Sequence, residues 1–172
     1  MKIRRILSVF LLSVLLAALF LTPCAYALEE PTLDARNALL VDATADRVLY
    51  GYKEKEKAYP ASITKVMTAL LVLEAVDRGE LSLSQPITAS NVAVTSITAD
   101  SSTAGIVADE VLSVEELLYC LLIVSANESA NVLAEAVAGT IPDFVDKMNQ
   151  RAQELGCEGT HFVNPNGLHD PN

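Results

Sequence analysis

An apolar stretch from Ser62 to Arg78 constrains the fold of this chain more than any other feature. Pro60 precedes it and Gly79 follows it, as is typical of residues that flank the two ends of a helix. In such a helix the apolar side chains would point to nearly all sides. These side chains are Val66, Met67, Leu70, Leu71, Leu73 and Val76. Because a helix that is apolar all round must be covered by other elements, the stretch predicts a central helix within a domain.

The elements around this helix are predicted to be a strand pair before it and helices after it. Residues 38–43 and 47–52 are apolar or branched runs on either side of a short polar turn, which predicts a β-hairpin. Residues 80–112 predict only loops and short helices. The fold class that follows is α/β, or more narrowly α+β, with a hairpin and a helical subdomain.

Three helices are predicted in the second half of the chain. Ser113 and Glu116 form a capping-box pattern, which marks the start of the first one. The second runs from about Asn127 to Gly139, and the third from Thr140 to Gly156. The third helix should bury one apolar face, which consists of Phe144, Met148, Ala152 and Leu155.

The N-terminus has the pattern of a secretory signal peptide. A basic start at residues 2–5 precedes the uncharged residues 6–21, and Ala25-Tyr26-Ala27 supplies the small residues of a cleavage site. The uncharged run is shorter than the ~20 residues that span a bilayer, so we expect cleavage rather than an anchor. Pro23 before Cys24 argues against a lipid-attachment site. Residues 1–27 are therefore expected to be a signal peptide, and residues 28–172 to be secreted.

The expected secreted chain is strongly acidic. Without residues 1–27 it keeps 22 acidic and nine basic residues, a net charge of −13. Nucleic acids and anionic lipids are themselves negative, so this charge argues against both as partners. Cys120 and Cys157 could pair outside the cell or remain a buried and a free thiol, and the sequence leaves both alternatives open.

A serine and a lysine stand one turn apart at the start of the central helix, in Ser62-Ile63-Thr64-Lys65. Residues three apart share a helix face, so the amine can reach the hydroxyl. A serine needs a base to become a nucleophile, and burial lowers the pKa of a lysine towards that role. Backbone N–H groups at the helix start could also stabilise an oxyanion. The same pattern occurs when a serine simply caps a helix, so it needs support from a second motif.

A candidate second motif is Ser125-Ala126-Asn127, which lies between an apolar run and the next helix. Ser129-Ala130-Asn131 repeats the triplet one turn later. The first triplet is at an element junction, where side chains can project into a cleft, whereas Ser and Asn within a helix usually face solvent. We therefore select Ser125 to pass a proton and Asn127 to hold a substrate carbonyl.

These motifs resemble a known family. Residues 60–71 (PASITKVMTALL) resemble the nucleophile segment of the D-alanyl-D-alanine carboxypeptidases, which are low-molecular-mass penicillin-binding proteins. Residues 121–139 look like the second motif of these enzymes, which again selects Ser125 over Ser129, and residues 164–172 are similar to one of their loops. The resemblance implies a serine β-lactamase/DD-transpeptidase-like fold, in which an antiparallel sheet packs on a helical subdomain.

The activity that the resemblance implies is acyl transfer on the D-Ala-D-Ala peptides of peptidoglycan, outside the cytoplasm. Ser62 would attack the carbonyl of the penultimate D-Ala, with Lys65 as its base. Ser125 would relay the proton to the leaving amine, and Asn127 would orient the substrate. β-Lactams would trap Ser62 as an ester, and no metal or organic cofactor is required.

The third motif of the family, K-T-G on a sheet strand, does not occur in these 172 residues. We therefore expect residues 28–172 to be the N-terminal part of a truncated catalytic domain, with an incomplete sheet and no activity of its own. Attachment to the membrane surface through a later segment stays open.

Three alternatives remain beside the carboxypeptidase. A β-lactamase and a DD-endopeptidase would use the same scaffold, and the fragment alone could be an inactive muropeptide-binding protein. A Ser-His-Asp triad through His161, or through His169 with Asp170, has no support from spacing, and loop roles are expected for both histidines.

Overall fold

The computed structural model describes residues 31–170, which divide after Glu56 into two compact units. The predicted signal peptide, residues 1–27, lies outside the described residues. Within residues 31–170, none of the helices combines the length and the apolar character needed to cross a membrane.

The first unit contains the predicted β-hairpin. Strands β1 (Ala38–Asp42) and β2 (Arg47–Tyr52) pair antiparallel, with a register irregularity between Leu40 and Val41. The turn is stabilised by Asp42, whose carboxylate accepts the backbone N–H groups of Thr44 at 3.0 Å and Ala45 at 3.1 Å. Aspartate favours such turns because its side chain hydrogen-bonds the backbone two residues on. The predicted hairpin is confirmed.

The second unit, residues 57–170, is mainly helical. A 3₁₀ turn leads into the first helix, and a π-helical turn follows the third. In chain order the elements are the 3₁₀ turn Ala61–Thr64, α1 (Lys65–Asp77), β3 (Pro86–Thr88), α2 (Asn91–Thr95), β4 (Val111–Ser113), α3 (Val114–Tyr119), the π turn Cys120–Val124, α4 (Asn127–Ala138) and α5 (Ile141–Glu154). The predicted capping box at Ser113 and Glu116 is present. The predicted helices after residue 113 are confirmed.

Strands β3 and β4 are not predictable from the sequence, because residues 80–112 indicate only loops and short helices. They pair antiparallel, with Ile87 opposite Leu112. Each strand has only three residues, so no alternation of apolar and polar residues could develop. The pairing depends on a contact between distant segments.

The helices of the second unit bury two apolar clusters. The larger one joins α1, α3 and α4 through side chains such as Val72, Leu117 and Leu133. In the smaller one, Phe144 and Met148 of α5 pack with residues of α1 and α4. Ala152 is also buried, as predicted. The prediction for Leu155 was wrong: it is 49% exposed because α5 has already ended.

Helix α1 is not covered on all sides, contrary to the prediction. Its Val72 and Ala75 are fully buried, whereas Val66 is 62% exposed and Leu73 is 44% exposed. Helices α4 and α5 pack on the buried side. An apolar sequence therefore predicted that the helix is central, but not which of its sides this unit covers.

Candidate active site

Ser62 lies in the 3₁₀ turn that leads into α1, and it is exposed to solvent. The residue before it, Ala61, has a φ of +50°. The left-handed region costs a non-glycine residue about 1 to 2 kcal/mol. The surrounding structure must hold this conformation, and it presents the Ser62 hydroxyl at the surface directly above the buried start of α1.

The Lys65 side chain reaches that hydroxyl from below. Lys65 is 2% exposed, and its Nζ donates hydrogen bonds to Ser62 Oγ at 3.1 Å, Asn127 Oδ1 at 2.7 Å and Asn166 O at 2.7 Å. Three acceptors match the three protons of an ammonium group. In the neutral amine, the two N–H groups can donate to the two closer oxygens, which leaves the nitrogen lone pair directed at Ser62 Oγ.

The surroundings of Lys65 favour this neutral form in part. Burial lowers the pKa of Lys65 below its ordinary value, because removing an ammonium group from water penalises the charged state. The negative charge of Glu128 acts in the opposite direction and raises the pKa of Lys65. Burial is the larger of the two effects.

Asn166 is a site residue that the sequence analysis missed. It lies in a loop that is held by Asn164, whose Oδ1 accepts the backbone N–H groups of Gly167 at 2.7 Å and Asn166 at 3.3 Å. Thr68 Oγ1 of α1 also donates to Pro165 O at 2.6 Å. The N-P-N-G sequence indicated a turn, but no sequence pattern shows that a backbone carbonyl accepts a hydrogen bond from a distant lysine.

Ser125 and Asn127 follow the π turn, and the structure treats them differently. Ser125 is half-buried with a φ of +63°, and its backbone N–H donates to Cys120 O. Among the described residues its hydroxyl makes no hydrogen bond to Ser62, Lys65 or Asn127. Asn127, the first residue of α4, is buried and contacts Lys65 directly. Of the predicted site residues, Ser62, Lys65 and Asn127 are thus brought together, and Ser125 lies two residues away in the chain.

The repeated triplet one turn later does not face solvent, contrary to the expectation. Ser129 is fully buried and donates to Leu117 O at 2.6 Å. Asn131 is also buried and donates from Nδ2 to Ala93 O at 2.9 Å, while its Oδ1 accepts from Asn166 at 3.1 Å. These side chains satisfy buried carbonyls, and they connect α4 to neighbouring segments.

Neither histidine forms part of this constellation. Both are exposed, and the His169 ring packs edge-on against Tyr59 with 4.9 Å between the ring centres. Cys120 and Cys157 are free thiols, so the alternative of a disulfide between them is not realised in the structure. Residues 31–170 contain no group of three or more His, Cys, Asp or Glu side chains placed to hold a metal ion.

Solved structures of penicillin-binding proteins share this fold. Penicillin-binding protein 5 of Haemophilus influenzae superposes with a TM-score of 0.80 at 31% identity, over 84% of this chain and 42% of its own. Penicillin-binding protein 6B of Escherichia coli gives a TM-score of 0.79 at 29% identity, over 86% of this chain and 47% of its own. The predicted fold class, of the serine β-lactamase/DD-transpeptidase type, is confirmed.

The sequence comparisons narrow this class to a family. The family model described as D-alanyl-D-alanine carboxypeptidase matches residues 25–172, so the chain belongs to that peptidase family, S11. The carboxypeptidase DacF of Bacillus subtilis (strain 168) is 34% identical over 171 residues, which is 96% of this chain and 43% of the relative. The chain thus spans less than half the length of these relatives.

Proposed function

We propose that the protein is a serine-type D-Ala-D-Ala carboxypeptidase, which removes the terminal D-Ala from peptidoglycan stem peptides through an acyl-enzyme on Ser62. The observation that carries the proposal is the hydrogen bond of 3.1 Å between the buried Lys65 amine and the exposed Ser62 hydroxyl. Membership of the carboxypeptidase family supports the choice of substrate.

In the acylation step the neutral amine of Lys65 takes the proton of Ser62 as Oγ attacks the carbonyl carbon of the penultimate D-Ala. The C–N bond to the terminal D-Ala then breaks, and the proton passes to the leaving nitrogen. In the second step water hydrolyses the ester, which releases the shortened peptide and returns the proton to Ser62. Water is the only co-reactant that these two steps require.

Asn127 and Ser125 are assigned supporting roles. The Asn127 side-chain oxygen accepts from Lys65, so its Nδ2 group remains to donate to a substrate carbonyl. Ser125 would relay the proton from Lys65 to the leaving amine. Its half-buried position at the end of the π turn supports this role, since the hydroxyl is not committed to a protein acceptor among the described residues.

The proposal extends to the setting of the enzyme. We infer that residues 1–27 are a signal peptide, that residues 28–172 are the N-terminal part of the catalytic domain, and that the protein acts outside the cytoplasm. β-Lactams are expected to acylate Ser62, because they mimic D-Ala-D-Ala.

The test is labelling of the full-length protein with a fluorescent penicillin. We expect covalent labelling of the wild type, release of D-Ala from a pentapeptide, and loss of both in Ser62→Ala. Labelling of Ser62→Ala at the wild-type level would contradict the proposal. Rapid turnover of penicillin would favour a β-lactamase, and cleavage of cross-linked peptides would favour an endopeptidase.

A matched pair of variants tests the choice of Ser125 in the same experiment. Ser125→Ala should slow the chemical steps without destabilising the fold, since its hydroxyl holds no protein acceptor. Ser129→Ala should lower stability instead, because it leaves the Leu117 carbonyl without its buried donor. Equal kinetic effects of the two substitutions would remove the role assigned to Ser125.

A further inference from the structure

The mechanism above leaves one buried charged residue unused. Glu128 is the second residue of α4, directly after Asn127, and it is 1% exposed. Burying a carboxylate is costly unless hydrogen bonds or an opposite charge compensate for it. A position next to the site thus holds a charge that the proposed chemistry does not explain.

One carboxylate oxygen of Glu128 organises a loop. Its Oε1 accepts from Thr103 Oγ1 at 2.6 Å and from the backbone N–H groups of Ala104 at 2.7 Å, Gly105 at 3.1 Å and Ile106 at 3.4 Å. The preceding residue of the same loop, Ser102, accepts the backbone N–H of Asn127 through its carbonyl at 2.9 Å. Residues 102–106, here called the clamp loop, are therefore joined to the first turn of α4 at several points.

We propose that Glu128 is a positioning residue of the proposed acyl-transfer site: its carboxylate holds the clamp loop on the first turn of α4, which sets Asn127 against Lys65. This inference rests on the proposed function for its kinetic consequences only. The structural part concerns the clamp loop and α4 alone.

An electrostatic effect accompanies this positioning, because Glu128 is buried directly after Asn127, whose side chain contacts the Lys65 amine. Glu128 Oε2 is buried and accepts no hydrogen bond from the described residues. The groups that contact the Lys65 amine are uncharged, namely the Ser62 hydroxyl, the Asn127 amide and the Asn166 carbonyl. Among residues 31–170, Glu128 is the charged residue that affects the pKa of Lys65: it raises this pKa, which burial lowers. Glu128 therefore limits how far that pKa falls.

The charge is tested by Glu128→Gln, whose amide oxygen can still accept from the clamp loop. Without the negative charge the pKa of Lys65 should fall further, so the acid limb of the pH profile for penicillin acylation should move to lower pH. A merely structural role would lower the rate but leave the limb in place. The matched control is Glu110→Gln, since exposed Glu110 also accepts a neighbouring backbone N–H, that of Val107 at 3.0 Å. An acid limb unchanged in Glu128→Gln, or moved equally in Glu110→Gln, would overturn the charge role.

The clamp is tested by hydrogen exchange in the full-length protein. Glu128→Ala should speed exchange of the Ala104 and Gly105 amides about tenfold, because both lose a charged acceptor. Glu110→Ala should leave these two amides unchanged. If they exchange at the wild-type rate in Glu128→Ala, the positioning role is wrong.

The exchange measurement also separates this inference from the proposed function. If the wild type is not acylated at Ser62, the proposed function fails, and exchange alone decides whether Glu128 holds the clamp loop. If Glu128→Ala does not fold, exchange of the same two amides is measured in Glu128→Gln, where it should again be faster than in the wild type, because a neutral amide oxygen is a weaker acceptor than a carboxylate.

Discussion

At the scale of single residues, the loop that carries Asn166 approaches the nucleophile segment very closely. Gly167 has a φ of +83°, and a Cβ added there would lie 1.9 Å from Ala61 O. Only glycine combines that backbone conformation with that proximity. This close approach brings the Asn166 carbonyl to Lys65. The geometry at Ser62 therefore requires that residue 167 has no side chain.

Gly167→Ala is therefore expected to destabilise the protein by at least about 2 kcal/mol and to reduce penicillin labelling sharply, because Ala61 and the 3₁₀ turn would have to move. The measurement is urea unfolding together with labelling. Two other glycines separate the causes. Gly156→Ala adds a Cβ at a φ of +77° but with no neighbouring atom within 4 Å of it. Gly159→Ala adds a Cβ with neither a positive φ nor a close neighbour. A loss in Gly167→Ala no larger than that in Gly156→Ala would contradict the role of close approach.

The residue scale also shows how far the candidate site could be predicted. The contact between Ser62 and Lys65 follows from helix periodicity, because residues three apart share a face. Asn127 was selected for its place at an element junction, and it does contact Lys65. Asn166 was not predictable, since it acts through its backbone, which every residue type possesses. Ser129 was expected to face solvent, and this was wrong because α3 packs over it and supplies the Leu117 carbonyl to which its hydroxyl donates.

At the scale of elements, the end of α3 determines how the second motif is presented. The helix begins at a capping box, in which Ser113 Oγ accepts from Glu116 N at 3.2 Å and Glu116 Oε2 accepts from Ser113 N at 2.8 Å. It continues into the π turn, and the chain leaves that turn through the left-handed Ser125. The start of this segment was predictable from a local pattern, but the π turn has no sequence signature of comparable strength.

Ser113→Ala should lower the free energy of unfolding by about 1 kcal/mol at neutral pH, which is typical for the loss of an N-cap. Hydrogen bonds from the Ser113 backbone and side chain lower the pKa of Glu116, so their stabilisation is present at neutral pH and is lost as the pH falls through that depressed value. The deficit of Ser113→Ala, measured by urea unfolding, should therefore shrink in acid. Glu115→Gln removes a charge from the same turn and leaves the box intact, so it should cost less. A deficit independent of pH would contradict this explanation.

At the scale of the whole molecule, the state of Lys65 depends on three segments that are far apart in the chain. Helix α1 supplies the lysine, α4 supplies Asn127, and the 164–168 loop supplies the Asn166 carbonyl. Only their packing together excludes water from the amine. The pH dependence of the proposed enzyme is therefore a property of the tertiary structure.

We expect the acid limb of penicillin acylation to lie below the pKa of an ordinary lysine, about 10.4. Burial lowers the pKa of Lys65, and Glu128 only partly opposes this, so the neutral base becomes available at lower pH. The measurement is the acylation rate as a function of pH. Lys65→Arg is the control, because a guanidinium keeps the charge but cannot lose its proton, and it should abolish acylation at every pH. Wild-type rates in Lys65→Arg would exclude a lysine base.

The sequence by itself determined the features that depend on neighbours in the chain. These are the hairpin, the main helices and their caps, the placement of Lys65 one turn after Ser62, and the family. The tertiary structure decided which sides of α1 are covered, that β3 pairs with β4, and that Asn166 and Glu128 act on Lys65. The physical reason is that local periodicity sets which residues share a face, whereas the acceptors that hold the buried Lys65 amine come from segments 62 and 101 residues away along the chain.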